Sequence, residues 1–228
     1  MSETLKVHEL GQIDYQLAYE YQLQMRSEIK ENISSPFHII FCEHEKVLTL
    51  GRNFKESSMP YDESYYIDKG IQIIKVDRGG DITYHGPGQL TVYYIFDLNK
   101  LSIGRDVHKF IRALEEIVLK TLEHFEIKGS RKNDMTGVWF GDKKICALGL
   151  GFKHWISYHG IGFNVTANLE DYKDIIPCGL KGKEVGNLND LVSSEVDLKM
   201  VKEILINNTI NIFGLKEFKT EEFKKAKA

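Results

Sequence analysis

The chain has 228 residues, 42% of them hydrophobic and 28% charged, which is enough for one sizeable hydrophobic core. Its formal net charge is −3 and its sequence pI is about 6.3, which excludes the global positive field that draws proteins to nucleic acid or anionic membranes. The N-terminal stretch MSETLKVHELGQIDYQ is polar, and the apolar runs are far shorter than a membrane span. We therefore expect a cytoplasmic protein with neither a nucleic-acid nor a membrane partner.

The first predicted helix spans residues 14–31, with Asp14 as its N-cap and Leu17, Tyr21 and Met25 as its apolar row. Runs rich in β-branched and aromatic residues then predict strands at FHIIFCEH, KVLTLG, IQIIKV and LTVYYIFDL. Between the last two lies RGGDITYHGPGQ, residues 78–89, whose four glycines and proline predict a loop.

A second helix is predicted over 106–126, where several apolar residues fall near one face: Val107, Phe110, Leu114, Ile117 and Leu122. GVWF, KKICALGLGF and WISYHGIGFNV predict further strands, and a third helix is expected from Asp197 to about Ile212. The final KEFKTEEFKKAKA predicts a frayed terminal helix. Because these elements come in clusters without βαβ alternation, we expect an α+β fold, with a mixed or antiparallel sheet packed with helices, in one domain over 1–228.

The three cysteines, Cys42, Cys146 and Cys178, form no C-x-x-C pair and indicate neither a disulfide framework nor a metal site. Cys42 and Cys146 lie in predicted strands and are expected to be small buried core residues. Cys178 lies between a proline and a glycine, where a turn makes a thiol more accessible. It is the candidate nucleophile, although a buried structural thiol is the alternative from composition alone.

The loop at 78–89 carries more hydrogen-bonding capacity than a simple connection needs. It contains Arg78, Thr83, Tyr84, His85 and Gln89. Its pattern matches neither G-x-x-x-x-G-K-[ST] nor a helix-opening G-x-G-x-x-G, so a phosphate-binding loop is poorly supported. The composition favours a backbone that lies close against a ligand.

RGGDITYHGPGQLTVYYIFDL strongly resembles the signature segment of the lipoyl(octanoyl) transferases of the LipB type. The likeness continues through LGQIDYQLAYEYQ, CEHEKVLTLGR, GVWFGDKKICALGLG, WISYHGIGFNV and IIPCGL. It extends over about residues 8–192 and leaves a C-terminal helical extension at about 193–228. The resemblance implies a fold similar to the catalytic domain of biotin and lipoate ligases.

The resemblance also implies the reaction and the partners. An octanoyl group would pass from octanoyl-acyl carrier protein, through a cysteine thioester, to the acceptor lysine of apo lipoyl domains, without ATP, a cofactor or a metal. The acceptors implied are the lipoyl domains of 2-oxoacid dehydrogenase complexes and the glycine cleavage H protein. An ATP-dependent lipoate–protein ligase, a lipoyl-domain amidotransferase and a non-catalytic acyl-binding module remain alternatives.

The resemblance assigns the nucleophile to Cys178 and the catalytic lysine to Lys144. An acceptor lysine has a reference pKa near 10.4, so its deprotonation near pH 7 costs about 4 kcal/mol and requires a base. A partly desolvated Lys144 would protonate the leaving thiol and later accept the amine proton. The alternative is a solvated hairpin turn, and the sequence does not decide whether Lys143 or Lys144 faces the thiol.

The resemblance places a further group along the acyl chain and its carbonyl, with a backbone N–H near Cys178 or Gly179 as a candidate oxyanion donor. These substrate-binding residues are Arg78, Gly79, Gly80, His85, Gly86, Gln89, Leu148, Gly149, His159, Gly160, Ile161 and Gly162. Purely structural roles are the alternative for His85 and His159. Burying the octanoyl tail contributes about 5 to 6 kcal/mol at ~0.8 kcal/mol per methylene, so an apolar tunnel would dominate acyl selection.

Two features near the site concern partners and local hydrogen bonding. Basic residues in flanking segments either form a rim for an acidic carrier protein or are scattered over the surface; they are Lys128, Arg131, Lys132, Lys153, Lys181 and Lys183. After P-C-G-L the family often has V-T-S or V-T-T. This chain has Gly186-Asn187 there, which changes the hydrogen bonding expected beside the site.

Overall fold

The computed structural model describes residues 4–133, 135–176, 184–215 and 217–222, the last range through its main chain only. The helices are α1 (Tyr15–Glu31), α2 (Glu63–Asp68), α3 (Val107–His124) and α4 (Leu198–Phe213). The strands are β1 (Thr4–Ile13), β2 (Phe37–His44), β3 (Val47–Leu50), β4 (Gln72–Lys75), β5 (Ile82–His85), β6 (Gln89–Ile95), β7 (Ser130–Lys132), β8 (Met135–Phe140), β9 (Lys143–Lys153), β10 (Ile156–Asn164), β11 (Glu184–Val185) and β12 (Glu217–Glu222). None of the helices in these ranges has the length and apolar character needed to cross a membrane.

The strands form one large mixed sheet and one small sheet. The large sheet has the order β12-β1-β2-β6-β10-β9-β8-β7, with β11 beside β9, and the small sheet has the order β4-β3-β5. β1 pairs in parallel with both β2 and β12, whereas the β2–β6, β6–β10, β10–β9 and β9–β8 pairs are antiparallel. The predicted α+β fold with a mixed sheet packed with helices is confirmed.

The large sheet is buried on both faces because its central strands are apolar on both sides. In β6, Val92 and Tyr94 pack into the cluster formed with α3 and α4, while Tyr93 and Ile95 pack into the cluster formed with α1. The small sheet has its own core around Leu48. Of the predicted functional segments, 78–89 contains β5 of the small sheet and leads into β6 of the large sheet.

Helix α1 begins as predicted, and of its predicted apolar row Met25 is buried and Tyr21 is partly buried, whereas Leu17 is not. The Asp14 carboxylate accepts hydrogen bonds from the N–H groups of residues 16 and 17, which confirms the N-cap. Leu17 is 57% exposed, however, and the buried row is Tyr15, Ala18, Gln22, Met25 and Ile29. The periodicity is misleading here because a glutamine on the buried face is used for a hydrogen bond to β10.

Helix α3 confirms the prediction over 106–126, because Phe110, Leu114, Ile117 and Leu122 are completely buried. Asp106 caps its N-terminus. Helix α4 likewise follows the predicted third helix, with Asp197 as its N-cap and Gly214, at φ 65°, as its C-cap.

Five strands differ from the predictions. β1, β7 and β11 were not predicted, and β5 lies inside the segment predicted as a loop. The predicted terminal helix is wrong where the chain is described, because Glu217–Glu222 forms β12 and pairs in parallel with β1. Local composition favours a helix there, but pairing with a strand from the other end of the chain determines the conformation.

Candidate active site

A cavity of about 440 Å³ lies among α1, the 78–85 segment, α3 and strands β6, β8, β9 and β10. Most of the predicted site residues line it: Arg78, Gly79, Gly80, His85, Lys144, Leu148, Gly149, His159, Gly160, Ile161 and Gly162. Gly86 and Gln89 are not among the lining residues. Apolar side chains of α3, β8, β9 and β10 form much of the remaining wall, including Val107, Ile111, Met135, Leu150 and Phe152.

Two glycines on adjacent strands are required by close packing. A Cβ atom at Gly160 would lie 2.0 Å from the Val92 carbonyl oxygen, and one at Gly149 would lie 2.8 Å from Arg78 Cδ. Side chains at these positions would displace the neighbouring strand or the arginine. The glycines of β9 and β10 therefore let the β6 backbone and the Arg78 side chain lie close to these strands at the cavity wall.

Arg78 is held in place by the small sheet. Its Nη2 donates to the carbonyl oxygen of Thr49 at 2.6 Å and to Thr49 Oγ1 at 2.8 Å, and its Nη1 donates to the Gly79 carbonyl at 3.0 Å. The side chain is 6% exposed. The guanidinium is thus a fixed positive charge at the cavity wall, oriented by a threonine that the sequence did not single out.

His85 is held in one neutral tautomer. Its Nδ1–H donates to Gln89 Oε1 at 2.6 Å, which leaves the lone pair on Nε2, 3.5 Å from Thr49 Oγ1. The Gln89 amide donates in turn to Asn164 Oδ1 and to the Tyr172 hydroxyl. Burial holds the pKa of His85 well below its usual value. Gln89 therefore does not line the cavity itself but orients the His85 ring, which does.

His159 occupies an unusual position within β10. Its backbone φ is 59°, and its N–H donates to Gln22 Oε1 at 2.8 Å. Its Nε2 lies 2.9 Å from Asp77 Oδ1, and its Nδ1 lies 3.4 Å from the Tyr15 hydroxyl. Burial lowers the pKa of His159, and the histidine hydrogen bond lowers the pKa of Asp77. The pair is therefore a neutral imidazole beside a carboxylate.

A third histidine, His44, lies behind Tyr15. Its Nδ1–H donates to the Ile13 carbonyl at 3.0 Å, and its Nε2 accepts from the Tyr93 hydroxyl at 2.5 Å. Burial lowers the pKa of His44 to about 4. Its ring centroid lies 5.1 Å from that of Tyr15. A neutral, hydrogen-bonded imidazole therefore packs behind Tyr15 at the cavity wall.

Lys144 and Lys143 point to opposite sides of β9. Lys144 is 9% exposed and lines the cavity, with its Nζ 4.9 Å from the centroid of the Trp139 ring. Lys143 is exposed and its Nζ lies 3.6 Å from a Glu184 carboxylate oxygen. Strand alternation therefore brings Lys144, and not Lys143, to the cavity.

Cys178 and Gly179 lie outside the described residues. Ile176, just before the gap, donates its N–H to the Ser58 carbonyl. Beyond the gap, Val185 pairs with Lys144 and lines the cavity. Asn187 spans the backbone of Ala167: its Oδ1 accepts from the N–H and its Nδ2 donates to the carbonyl, each at 3.0 Å.

The basic residues for which a rim and a scattered surface were the alternatives are partly neutralised. Arg131 forms ion pairs with Glu115 and Glu116, and Lys132 forms one with Asp142. Lys181 and Lys183 are outside the described residues. Cys42 and Cys146 are buried in the core as predicted, and burial raises the pKa of both thiols.

Several cavity residues were not predicted from the sequence. Tyr15, Tyr93, Asn164 and Tyr172 line the cavity, and Asp77 contacts it through His159. Asp77 directly precedes Arg78, so its position beside the glycine motif was a usable signal. Tyr15, Tyr93 and Asn164 lie in segments that carry the resemblance, but nothing in those segments singled them out.

Comparisons with known proteins agree with this arrangement. The model of the lipoyl protein ligase A/B catalytic domain matches residues 12–210. An octanoyltransferase from Flavobacterium psychrophilum is 37% identical over 93% of this chain and 98% of its own length.

Two solved structures show a similar fold. The bi-partite lipoate protein ligase from Thermoplasma acidophilum, described with its E2 lipoyl domain, has a TM-score of 0.71 at 16% identity, over 99% of this chain and 88% of that one. The biotin protein ligase from Aquifex aeolicus in complex with biotin and ATP has a TM-score of 0.52 at 14% identity, over 94% of this chain and 71% of that one. The expected similarity to biotin and lipoate ligase catalytic domains is confirmed.

Proposed function

This chain belongs to the lipoyl protein ligase A/B catalytic domain family, and within it to the octanoyltransferases, and on that premise we propose that it transfers octanoyl from octanoyl-acyl carrier protein to the acceptor lysine of apo lipoyl domains. It is an acyltransferase, as its motifs predicted. The proposed acceptors are the lipoyl domains of 2-oxoacid dehydrogenase complexes and the glycine cleavage H protein.

The observation that carries the proposal is a buried lysine on the wall of a largely apolar cavity. Lys144 lines the same cavity as Val107, Ile111 and Phe152. An apolar wall suits a saturated acyl tail, since each buried methylene contributes about 0.8 kcal/mol. An amine beside that tail is well placed to exchange protons at the acyl carbonyl.

The proposed reaction has two steps through Cys178. In the first step, the Cys178 thiolate attacks the thioester carbonyl, the acyl–sulfur bond to the carrier breaks, and the carrier sulfur takes a proton from Lys144. In the second step, the acceptor amine attacks the enzyme thioester, gives its proton to neutral Lys144, and releases the Cys178 thiolate. Atoms and charges balance without ATP.

The position of Lys144 supports this role. Its side chain is buried at the cavity wall, and its Nζ lies over the Trp139 ring. Val185, which pairs with Lys144, follows the segment that contains Cys178. This connection supports the proposal that the two groups work as a dyad.

The test is transfer in a purified system. Wild-type protein is mixed with octanoyl-acyl carrier protein and apo lipoyl domain without ATP, and octanoylation of the acceptor lysine is followed by mass spectrometry. Modification without ATP is expected. Modification only with free acid and ATP would contradict the proposal and favour a ligase, and transfer only from an octanoylated lipoyl domain would favour an amidotransferase.

A further inference from the structure

Asp77 meets His159 at the edge of the cavity. Besides the 2.9 Å contact with His159 Nε2, its carboxylate accepts hydrogen bonds from the hydroxyls of Tyr158 at 2.6 Å and Tyr19 at 3.1 Å. Asp77 lines a neighbouring cavity of about 340 Å³, which shares Tyr15 with the first. Among the described residues that line either cavity, it is the sole carboxylate.

The His159 ring is held from several directions. The Tyr19 ring stacks on it, with centroids 5.3 Å apart and planes 8° apart. The left-handed backbone at His159, with a φ of 59°, is strained in a non-glycine residue and persists only where surrounding contacts impose it. Gln22 supplies one such contact to its N–H, and Asp77 supplies another to its ring.

We propose that Asp77 is a positioning residue: by accepting the Nε2–H of His159, it directs the Nδ1 lone pair at the Tyr15 hydroxyl. The Tyr15 proton then points to His159, and the Tyr15 oxygen faces the cavity as a hydrogen-bond acceptor. An incoming amine needs such an acceptor for its N–H group. The role assigned to this acceptor rests on the proposed function; the Asp77–His159 geometry does not.

The environment of His159 keeps its imidazole ring neutral. The titratable and charged groups that face it are Asp77, Arg78, Arg26, Tyr15, Tyr19, Tyr158 and His85. Burial and the two arginines lower the pKa of His159, while Asp77 raises it. Burial also raises the pKa of Tyr15, which keeps its hydroxyl protonated. Without Asp77, the ring is free to carry its proton on Nδ1, which would reverse the Tyr15 hydrogen bond.

Loss of Asp77 is expected to affect transfer to the lipoyl domain and not formation of the acyl-enzyme. Formation of the acyl-enzyme involves no amine, so it does not use the Tyr15 acceptor. Transfer to the lipoyl domain does use it. Asp77→Ala is therefore expected to slow transfer by about tenfold or more and to leave acylation within about twofold of wild type. Asp77→Asn retains an acceptor oxygen, so its transfer rate should lie between those of wild type and Asp77→Ala.

The experiment combines two readouts on the full chain. Single-turnover rates are measured for acylation by octanoyl-acyl carrier protein and for transfer to apo lipoyl domain, and the His159 tautomer is read from ring ¹⁵N shifts, assigned by their loss in His159→Gln. Asp171→Asn is the matched control, because Asp171 is buried and accepts from the Tyr84 hydroxyl at 2.9 Å but does not line the cavity. Tyr15→Phe should slow transfer more than it slows acylation.

An unchanged tautomer in Asp77→Ala would overturn the proposal, as would equal slowing of both half-reactions. If the wild-type protein forms no acyl-enzyme, the proposed function fails. In that case the tautomer of wild type and Asp77→Ala still decides the assignment of Asp77.

Discussion

The Nζ atom of Lys144 lies 4.9 Å from the centroid of the Trp139 ring, and the two residues pair across β8 and β9. A Cβ atom at Gly137, two residues before Trp139, would lie 3.2 Å from Lys144 Cε. The G-V-W element thus provides a surface along which the lysine side chain lies. It links a motif found in the sequence to the orientation of the candidate catalytic amine.

Lys144→Met should reduce octanoyl transfer by about 10²- to 10⁴-fold, the usual contribution of a general acid–base group. Methionine keeps most of the side-chain volume and removes the amine. Lys143→Met is the matched control and should stay within about twofold of wild type, because Lys143 is exposed and pairs only loosely with Glu184. The measurement is kcat/KM for transfer. Equal losses in the two variants would contradict the assignment.

Gly160→Ala should destabilise the fold by about 1–3 kcal/mol or more, because its new methyl group meets the Val92 carbonyl. Gly79→Ala should cost little stability, since its Cβ would lie 3.4 Å from the Leu150 carbonyl, an ordinary contact. Urea unfolding of both variants checks this. A stable Gly160→Ala protein would show that the β6–β10 pairing tolerates displacement.

Stability should fall as the pH falls from about 6.5 towards 4, in part because of His44. Its pKa is about 4 in the folded chain and near 6.5 when unfolded, so the unfolded state binds more protons in this window. Protonation of this one group should lower the free energy of unfolding by about 2 kcal/mol between pH 7 and pH 5. In His44→Gln, urea unfolding should show a pH dependence smaller by that amount, whereas exposed His108→Gln should match wild type. An unchanged slope in His44→Gln would contradict the neutral assignment.

Ile111→Phe should shift the acyl preference to shorter chains, because Ile111 lines the cavity from α3. Each methylene excluded changes kcat/KM by about fourfold, equivalent to ~0.8 kcal/mol. The measurement compares hexanoyl- and octanoyl-carrier donors. Ile33→Phe, at an 86% exposed position, is the control and should keep the wild-type preference. Loss of activity with both donors alike would argue against an acyl tunnel here.

The sequence predicted what depends on local pattern. The period of α3 identified its buried face, whereas the choice between Lys143 and Lys144 needed the structure, which brings Lys144 to the cavity. Leu17 was misassigned because hydrophobicity alone cannot show that a buried glutamine has a distant hydrogen-bond partner.

The layer behind the site could not be predicted for a similar reason. Thr49 meets Arg78, and Tyr15 meets His159, only after separate segments of the chain pack together. The same applies to β12, whose conformation depends on β1 at the opposite end of the chain. Such non-local pairings leave no periodic signal in the segment itself.

The most direct test of the account is intact mass spectrometry of the protein after mixing with octanoyl-acyl carrier protein without ATP, followed by peptide mapping. The account predicts one octanoyl adduct, on Cys178, which disappears when apo lipoyl domain is added and is absent from Cys178→Ser. Efficient octanoylation of the lipoyl domain by Cys178→Ser, or an adduct at Cys42 or Cys146 instead, would contradict it.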